Sequence, residues 1–203
     1  MTTSTCGLTN PLRVLLGVLC FAVASTAFAT DAKTGQLVAR LGKIVVDIPA
    51  GFSGPQRTFP NEQAEQDVYV SRDSPPVVLQ MTLITVPQVP PDLTEENRYG
   101  AAEHFLSGGL GMFAEKVRQW SQAPIEKARL GGFLGARAKW TGNLHGFPAT
   151  GVMYCVVTGK ESFTFHTFGS AVDSNASLKS SIRAIEKLRV DAADKSPARI
   201  PGK

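Results

Sequence analysis

The sequence contains very little cysteine: only Cys6, Cys20 and Cys155 occur among its 203 residues. The first two lie in an N-terminal segment that is expected to be removed, which leaves Cys155 alone. Small exported domains that depend on disulfides carry several pairs of cysteines, so an intramolecular disulfide framework is excluded. Cys155 lies in a continuous apolar run that predicts a buried thiol; an intermolecular disulfide or a reactive thiol is the alternative.

Metal-binding patterns are absent as well. The three histidines, His104, His145 and His166, are widely separated, and no Cys-x-x-Cys pair occurs. A zinc site needs three or four converging ligands, of which two are usually close in sequence. We therefore predict no metal ligand. His104 is expected at the surface of a helix, and His166 is expected in a strand among phenylalanines.

Patterns for nucleophilic and phosphate chemistry are missing too. There is no Gly-x-Ser-x-Gly elbow, and Ser107 lies in a helical stretch without the preceding strand that such an elbow needs. The glycine-rich stretches lack the Lys-Ser/Thr pair of a phosphate loop. Glu95 and Glu96 are adjacent and suit the first turn of a helix rather than a carboxylate pair. We predict that the protein is not an enzyme and has no cofactor.

The excess of positive over negative charge is small. Twenty-one Lys plus Arg against 17 Asp plus Glu give a formal net charge of +4. Binding driven by nucleic-acid phosphates needs several converging cations. The small excess therefore argues against a nucleic-acid partner.

Long hydrophobic runs are limited to one, from Val14 to Phe28, which follows Arg13. Its length is about 15 residues, short of the ~20 that a membrane-spanning helix needs. Ala27 and Ala29 place small residues where a signal peptidase requires them. These features predict a secretory signal peptide that is cleaved near Ala29-Thr30. The remaining chain has no transmembrane segment, and we expect it in the periplasm.

The chain is expected to have four parts. Residues 1–29 form the signal peptide, and residues 30–36 a flexible polar segment. Residues 37–190 form a single domain of a size that can bury a core. Residues 191–203 are rich in proline and polar residues and are predicted to be a disordered tail.

The first half of the domain is dominated by β patterns. A strand is predicted at Lys43–Ile48, and it ends in the turn residues that follow. The polar stretch 53–65 separates it from a short strand at 68–70. Residues 77–86 are almost continuously apolar, which is typical of a central strand covered on both faces.

Thr94 is predicted to cap the helix that follows. Gly108, Gly109 and Gly111 weaken its middle and indicate either a break or a close approach of helix and sheet. Apolar residues recur on one side of this helix at helical spacing: Tyr99, Ala102, Leu106, Leu110 and Phe113.

In the second half of the domain, apolar and polar residues again alternate with a period of two, as in β-strands. Residues 125–130 and 133–140 flank Gly131-Gly132 and predict a hairpin, and residues 150–158 and 162–168 flank a second short turn. A final helix is predicted from Leu178 to Leu188. Strands, a helix, hairpin-linked strands and a helix make an α+β domain, an antiparallel-rich sheet with helices packed on it.

This order of elements resembles the PsbP-like fold, which photosystem II extrinsic subunits share with bacterial DcrB-like periplasmic proteins. The resemblance rests on the turn at 48–52, the helical segment 101–105, the strand segment 163–165 and the ending at 188–190. It implies an α/β sandwich and a non-enzymatic accessory role. It carries over no catalytic residue and no metal ligand.

Basic and aromatic residues are concentrated in one hairpin and the loop after it. Ala136, Ala138 and Trp140 alternate with Arg137 and Lys139, so that one side of the strand is expected to be covered and the other wet. We predict that this region forms a docking patch for an acidic protein or for anionic lipid headgroups. Its members are Lys127, Arg129, Arg137, Lys139, Trp140, His145 and Phe147.

The sequence thus predicts an exported, non-enzymatic accessory protein that binds another envelope or secreted protein. One alternative is a periplasmic immunity protein that neutralises a secreted toxin. Another is a small-ligand-binding module or a small hydrolase, which would need a deep pocket that combines His145 or His166 with carboxylates.

Overall fold

The computed structural model describes residues 37–87, 89–90, 92–171 and 175–191. The predicted signal peptide, the segment 30–36 and all of the predicted tail except Asp191 lie outside these residues. The described elements, in chain order, are β1 Val38–Leu41, β2 Ile44–Asp47, β3 Phe52–Asn61, β4 Ala64–Ser71, β5 Val78–Thr85, α1 Glu95–Ala114, β6 Arg118–Gln122, β7 Glu126–Leu130, β8 Phe133–Leu144, β9 Phe147–Thr158, β10 Glu161–Ser170, α2 Ala176–Glu186 and β11 Arg189–Val190.

Most of these strands form one large antiparallel sheet. Its order is β3-β4-β5-β10-β9-β8-β6, and β7 pairs with the opposite end of the long strand β8. A second, small sheet has the order β1-β2-β11. The predicted α+β class is therefore confirmed, with β5 at an interior position as its continuous apolarity indicated.

One face of the large sheet is covered by the small sheet and by α2. We call it the covered face. Alternate residues of the central strands point into this layer, among them Leu79, Tyr154 and Phe163, which are fully buried. They meet Ile44 of β2 and Ile185 of α2 in a single apolar core. Burial of these side chains is the main stabilising term for the fold.

The opposite face is covered by α1, which packs on β8 and β9. Thr94 accepts a hydrogen bond from the Asn97 backbone N–H and caps the helix, as predicted. The helix is continuous through its glycines. A Cβ at Gly109 would lie 3.2 Å from the Met153 sulfur, so this glycine allows α1 to approach the sheet closely.

On this same side, α1 packs mainly on β8 and β9, and its apolar cluster reaches the half of the sheet formed by β3, β4 and β5 at Val68 and Val78. We call this less covered half of the surface the open face; its side chains range from buried, as at Ala64 and Thr82, to half-buried, as at Gln66 and Val70. The open face borders α1, whose residues Phe105 and Met112 lie next to Gln80 and Ile84 of β5. Neither α1 nor α2 combines the length and the apolarity that a membrane-spanning helix requires.

Three local expectations need correction. The polar stretch 53–65 contains most of β3, an edge strand whose unpaired side tolerates proline. The region 142–148 is not a loop, because β8 and β9 continue to a two-residue turn at His145-Gly146, where both residues have positive φ. The short strands β1, β6 and β11 were not predicted.

Candidate binding surface

The register of the β7–β8 hairpin separates the four predicted basic residues. Lys127 pairs with Ala136, and Glu126 pairs with Arg137. Paired residues point to the same side of a sheet, and neighbours along a strand point to opposite sides. Lys127 and Arg129 therefore lie on the side of α1, whereas Arg137 and Lys139 lie on the covered-face side.

The first two cations are engaged with the start of α1. Lys127 lies 3.0 Å from a carboxylate oxygen of Glu96, and Arg129 lies 2.9 Å from one of Glu95. The Lys127 ammonium also lies 4.8 Å from the centre of the Tyr99 ring. These exposed ion pairs fasten β7 to the helix, and each contributes at most about 1 kcal/mol.

On the other side, Arg137 bridges two carboxylates. Its distances to Glu126 and Glu186 are 2.8 and 3.4 Å. The Tyr154 hydroxyl donates to the same Glu186 oxygen over 3.0 Å, and burial, followed by the charge of Glu186, raises the pKa of Tyr154. Lys139 is exposed. The positive charge of Arg137 is thus balanced by the carboxylates of Glu126 and Glu186.

Trp140 does not contribute to a surface patch, and this part of the prediction is wrong. It points towards α1 and is only 1% exposed, because it lies across the bare backbone of Gly151. A Cβ at that glycine would come within 2.7 Å of the indole ring. The indole Nε1–H donates to His166 Nε2 over 3.0 Å.

His145 and Phe147 lie at the tip of the β8–β9 hairpin, where both are exposed and Phe147 is 65% exposed. The seven predicted residues therefore lie in four places: on each side of the β7–β8 hairpin, at the tip of the β8–β9 hairpin, and, for Trp140, in the core. The structure does not bring them together into a single surface, and a binding role for the exposed ones stays a prediction.

The described residues contain no group of three or more His, Cys, Asp or Glu side chains that could hold a metal ion. Cys155 is buried, as predicted, with its sulfur 3.4 Å from the Ser162 hydroxyl. Burial raises the pKa of this thiol to about 11, so that it remains protonated. His104 is exposed, also as predicted.

The open face has an unusual composition, because none of its side chains is charged. The pairing registers assign its members: Gln56 and Thr58 of β3, Ala64, Gln66, Val68 and Val70 of β4, and Val78, Gln80, Thr82 and Ile84 of β5, continued by Ser162, Thr164 and His166 of β10. At the outer edge of the same sheet, Phe59 of β3 is 69% exposed.

The charged residues of β3 and β4 point to the opposite, covered side. Arg57 lies 2.7 Å from Asp67, which is completely buried, and 2.8 Å from Glu65. Period-two alternation thus places charge on one side of these strands and leaves the other side neutral. Depletion of charge is typical of the buried core of protein interfaces.

Hydrogen bonds order the floor of the open face. The Gln66 amide donates to the Thr82 hydroxyl over 3.2 Å, and the Gln80 amide approaches the same hydroxyl at 3.4 Å. Each glutamine amide has further donor and acceptor capacity. The open face therefore offers neutral hydrogen-bonding groups between apolar side chains.

A small cavity of about 40 Å³ lies between the open face and α1. Phe105, Gly109, Met112 and Phe113 line it from the helix. The remaining lining comes from the sheet: Gln80, Thr82, Ile84, Met153, Thr164 and His166. No carboxylate is among these residues, so the combination of histidine and carboxylates that a hydrolase would need does not occur in it.

His166 is the one titratable group in the lining of this cavity. It is 2% exposed, and burial lowers its pKa to about 3, so the ring is neutral at physiological pH. Its Nε2 accepts the Trp140 hydrogen bond. The single ring proton must therefore reside on Nδ1, for which no protein acceptor occurs among the described residues.

No family model matches the sequence, and no curated protein matches it. Comparison of the fold does find similar solved structures. The cyanobacterial PsbP (CyanoP) of Synechocystis sp. PCC 6803 has a TM-score of 0.56 and 9% identity, covering 84% of this chain and 98% of that one. LpqN of Mycobacterium tuberculosis, described as involved in cell envelope biogenesis, has a TM-score of 0.50 and 14% identity, covering 77% and 90%.

These similarities cover 77–84% of this chain and 90–98% of the two solved structures. They confirm a PsbP-like fold for the described domain. At identities this low they concern the fold alone.

Proposed function

We propose that the protein is an exported, non-enzymatic accessory protein of the cell envelope that acts by binding another envelope protein on its open face. The observation that carries this proposal is the absence of charge from that half of the sheet. The face leaves Val68, Val70 and Ile84 half-buried beside neutral polar side chains.

The physical basis is the cost of desolvation. A charged side chain that enters an interface without a matched partner loses several kcal/mol, whereas a neutral amide or hydroxyl loses far less and regains it through one hydrogen bond. An ordinary exposed sheet face carries charged residues mixed with polar ones. A face kept free of charge is suited to being covered by a partner.

The envelope location is supported by two separate observations. The N-terminal sequence has the features of a cleaved secretory signal. One of the similar folds belongs to LpqN, which is described as involved in cell envelope biogenesis. We propose the same envelope location for this protein. We do not carry over any partner of LpqN.

Site-specific photo-crosslinking tests the proposal. Benzoylphenylalanine introduced at Gln66 on the open face is expected to give one discrete adduct with another envelope protein in the source cells. The same group at Lys139, an exposed strand position on the covered-face side, serves as the matched control and is expected to give none.

The two positions separate the possible results. Adducts at Lys139 but not at Gln66 would move the binding site to the basic strand predicted from the sequence and contradict a role for the open face. Failure of both positions to capture a protein would contradict a protein-binding function.

A further inference from the structure

The cavity beside α1 forms the inner edge of the open face and contains an unused hydrogen-bond donor. His166 is almost completely buried and lines this cavity. Its Nε2 is occupied by the Trp140 indole N–H, and its Nδ1–H has no protein acceptor among the described residues. Nδ1 is not one of the fully buried side-chain atoms that lack a partner, so this donor is reachable from the cavity, and an acceptor that enters the cavity can pair with it.

The size of the cavity limits what can enter. A single water needs about 10–15 Å³ of this kind of volume, and the cavity has about 40 Å³. It has room for roughly three or four non-hydrogen atoms on that scale. A valine or leucine side chain has this size, whereas an aromatic ring or a long acyl chain is too large.

The lining selects an uncharged, apolar group. Met112, Met153 and Ile84 present flexible aliphatic and thioether surfaces, which adapt to the shape of an aliphatic side chain. No lining residue is charged at neutral pH, because the His166 ring remains neutral. A charged side chain would therefore be buried there without a counterion.

The surrounding floor favours a peptide over a lipid. Gln66, Gln80 and Thr82 present amide and hydroxyl groups next to the cavity. A peptide backbone supplies one donor and one acceptor at each residue and can pair with these groups. An alkyl chain supplies neither and would leave them unpaired in a covered interface.

We infer that this cavity binds one aliphatic side chain, leucine or valine, from an uncharged segment of the partner protein. His166 Nδ1 donates a hydrogen bond to a backbone carbonyl of that segment. The inference rests on the proposed function for the statement that the partner is a protein. It adds the chemistry of the segment that is recognised and the position of its anchor.

Nuclear magnetic resonance of the ¹⁵N-labelled protein tests the anchor directly. The probe is N-acetyl-leucine N-methylamide, and the lysine and phenylalanine analogues are the matched comparisons. The reporter is the Trp140 indole N–H signal, distinguished from that of Trp120 with a Trp120→Phe variant. The leucine probe is expected to shift this signal with a dissociation constant on the order of 1–10 mM, as for a ligand of this size.

Two variants locate the effect. Thr164→Leu places a larger side chain in the lining of the cavity and is expected to weaken binding of the leucine probe at least about tenfold. Thr85→Leu makes the same change at an exposed position at the end of β5 and should leave binding unchanged. Circular dichroism checks that both variants are folded.

Three results would overturn the inference: no shift with the leucine probe, an equal shift with the lysine probe, or undiminished binding in Thr164→Leu. A stronger shift with monolauroylglycerol would replace the peptide by an acyl chain and would also overturn it. These outcomes are distinct from failure of the proposed function. A partner captured at Gln66 whose affinity is unaffected by Thr164→Leu leaves that function standing and removes the anchor.

Discussion

Replacement of Arg57 by methionine is expected to lower the free energy of unfolding by about 3–5 kcal/mol. Asp67 has no exposed surface, and Arg57 donates to both of its carboxylate oxygens, at 2.7 Å each. Removal of the guanidinium leaves a buried carboxylate without a counterion, and this is the costly way to break such a pair. Urea denaturation monitored by fluorescence measures the change.

The exposed ion pair between Arg189 and Asp47, at 2.6 Å, provides the control. Arg189→Met is expected to cost less than about 1 kcal/mol, because both of its groups remain solvated. The double variant Arg57→Met/Asp67→Leu removes the stranded charge and should recover much of the loss. Equal losses for Arg57→Met and Arg189→Met would show that burial of Asp67 is unimportant for stability.

Acidification is expected to destabilise the protein through His166. Burial lowers the pKa of this histidine from 6.5 to about 3. In the unfolded chain the ring gains a proton below pH 6.5, whereas in the folded protein it stays neutral down to about pH 3. The stabilisation is complete above pH 6.5 and is lost at about 1.4 kcal/mol per pH unit below it, about 5 kcal/mol in all.

The variant His166→Gln isolates this contribution, because its amide oxygen can accept the Trp140 N–H but does not titrate. Free energies of unfolding measured in urea at pH 7.5, 6, 5 and 4.5 should fall more steeply for the wild type than for the variant. The difference between pH 7.5 and pH 4.5 is expected to be about 3 kcal/mol. Parallel pH profiles for the two proteins would contradict a neutral buried His166.

The central elements were predictable because burial leaves a periodic pattern. The apolar continuity of residues 77–86 reflects a strand that is covered over much of both faces, and α2 follows its apolar spacing closely. Thr94 is recognisable as a cap because its side chain must accept from an orphan N–H at the start of α1.

The edge strands gave no comparable signal. β3 contains two prolines and a largely exposed phenylalanine, since an edge strand pairs on one side only and needs no continuous donor ladder. The β8–β9 turn uses His145-Gly146 instead of the usual Asn-Gly. A histidine with positive φ is uncommon, and for that reason the sequence indicated a loop.

The misplaced basic patch has a simple geometric origin. A two-residue turn at Gly131-Gly132 pairs Leu130 with Phe133, and counting back pairs residue 127 with residue 136. Lys127 and Arg137 are therefore one register step apart and must face opposite sides. The sequence contained this information, and counting the register outward from the turn would have revealed it.

The open face required more than the sequence contains. Its neutral residues alternate with charged or apolar ones along β4 and β5, which is visible in the sequence. The sequence does not show that β3 is a further strand of this face. Nor does the helical pattern of α1 indicate that this helix packs mainly on β8 and β9 and less on β3–β5, because that position depends on tertiary contacts such as the close approach at Gly109.

The most direct test of the account is the affinity of the captured partner for the variant Gln66→Glu. This change adds one charge to the open face with almost no change in shape, at a half-buried position. If the face is buried against the partner, affinity should fall about 10- to 100-fold. Gln122→Glu on the exposed strand β6 should bind like the wild type. An unchanged affinity for Gln66→Glu, measured by calorimetry on the folded protein, would contradict the assignment of the open face as the binding surface.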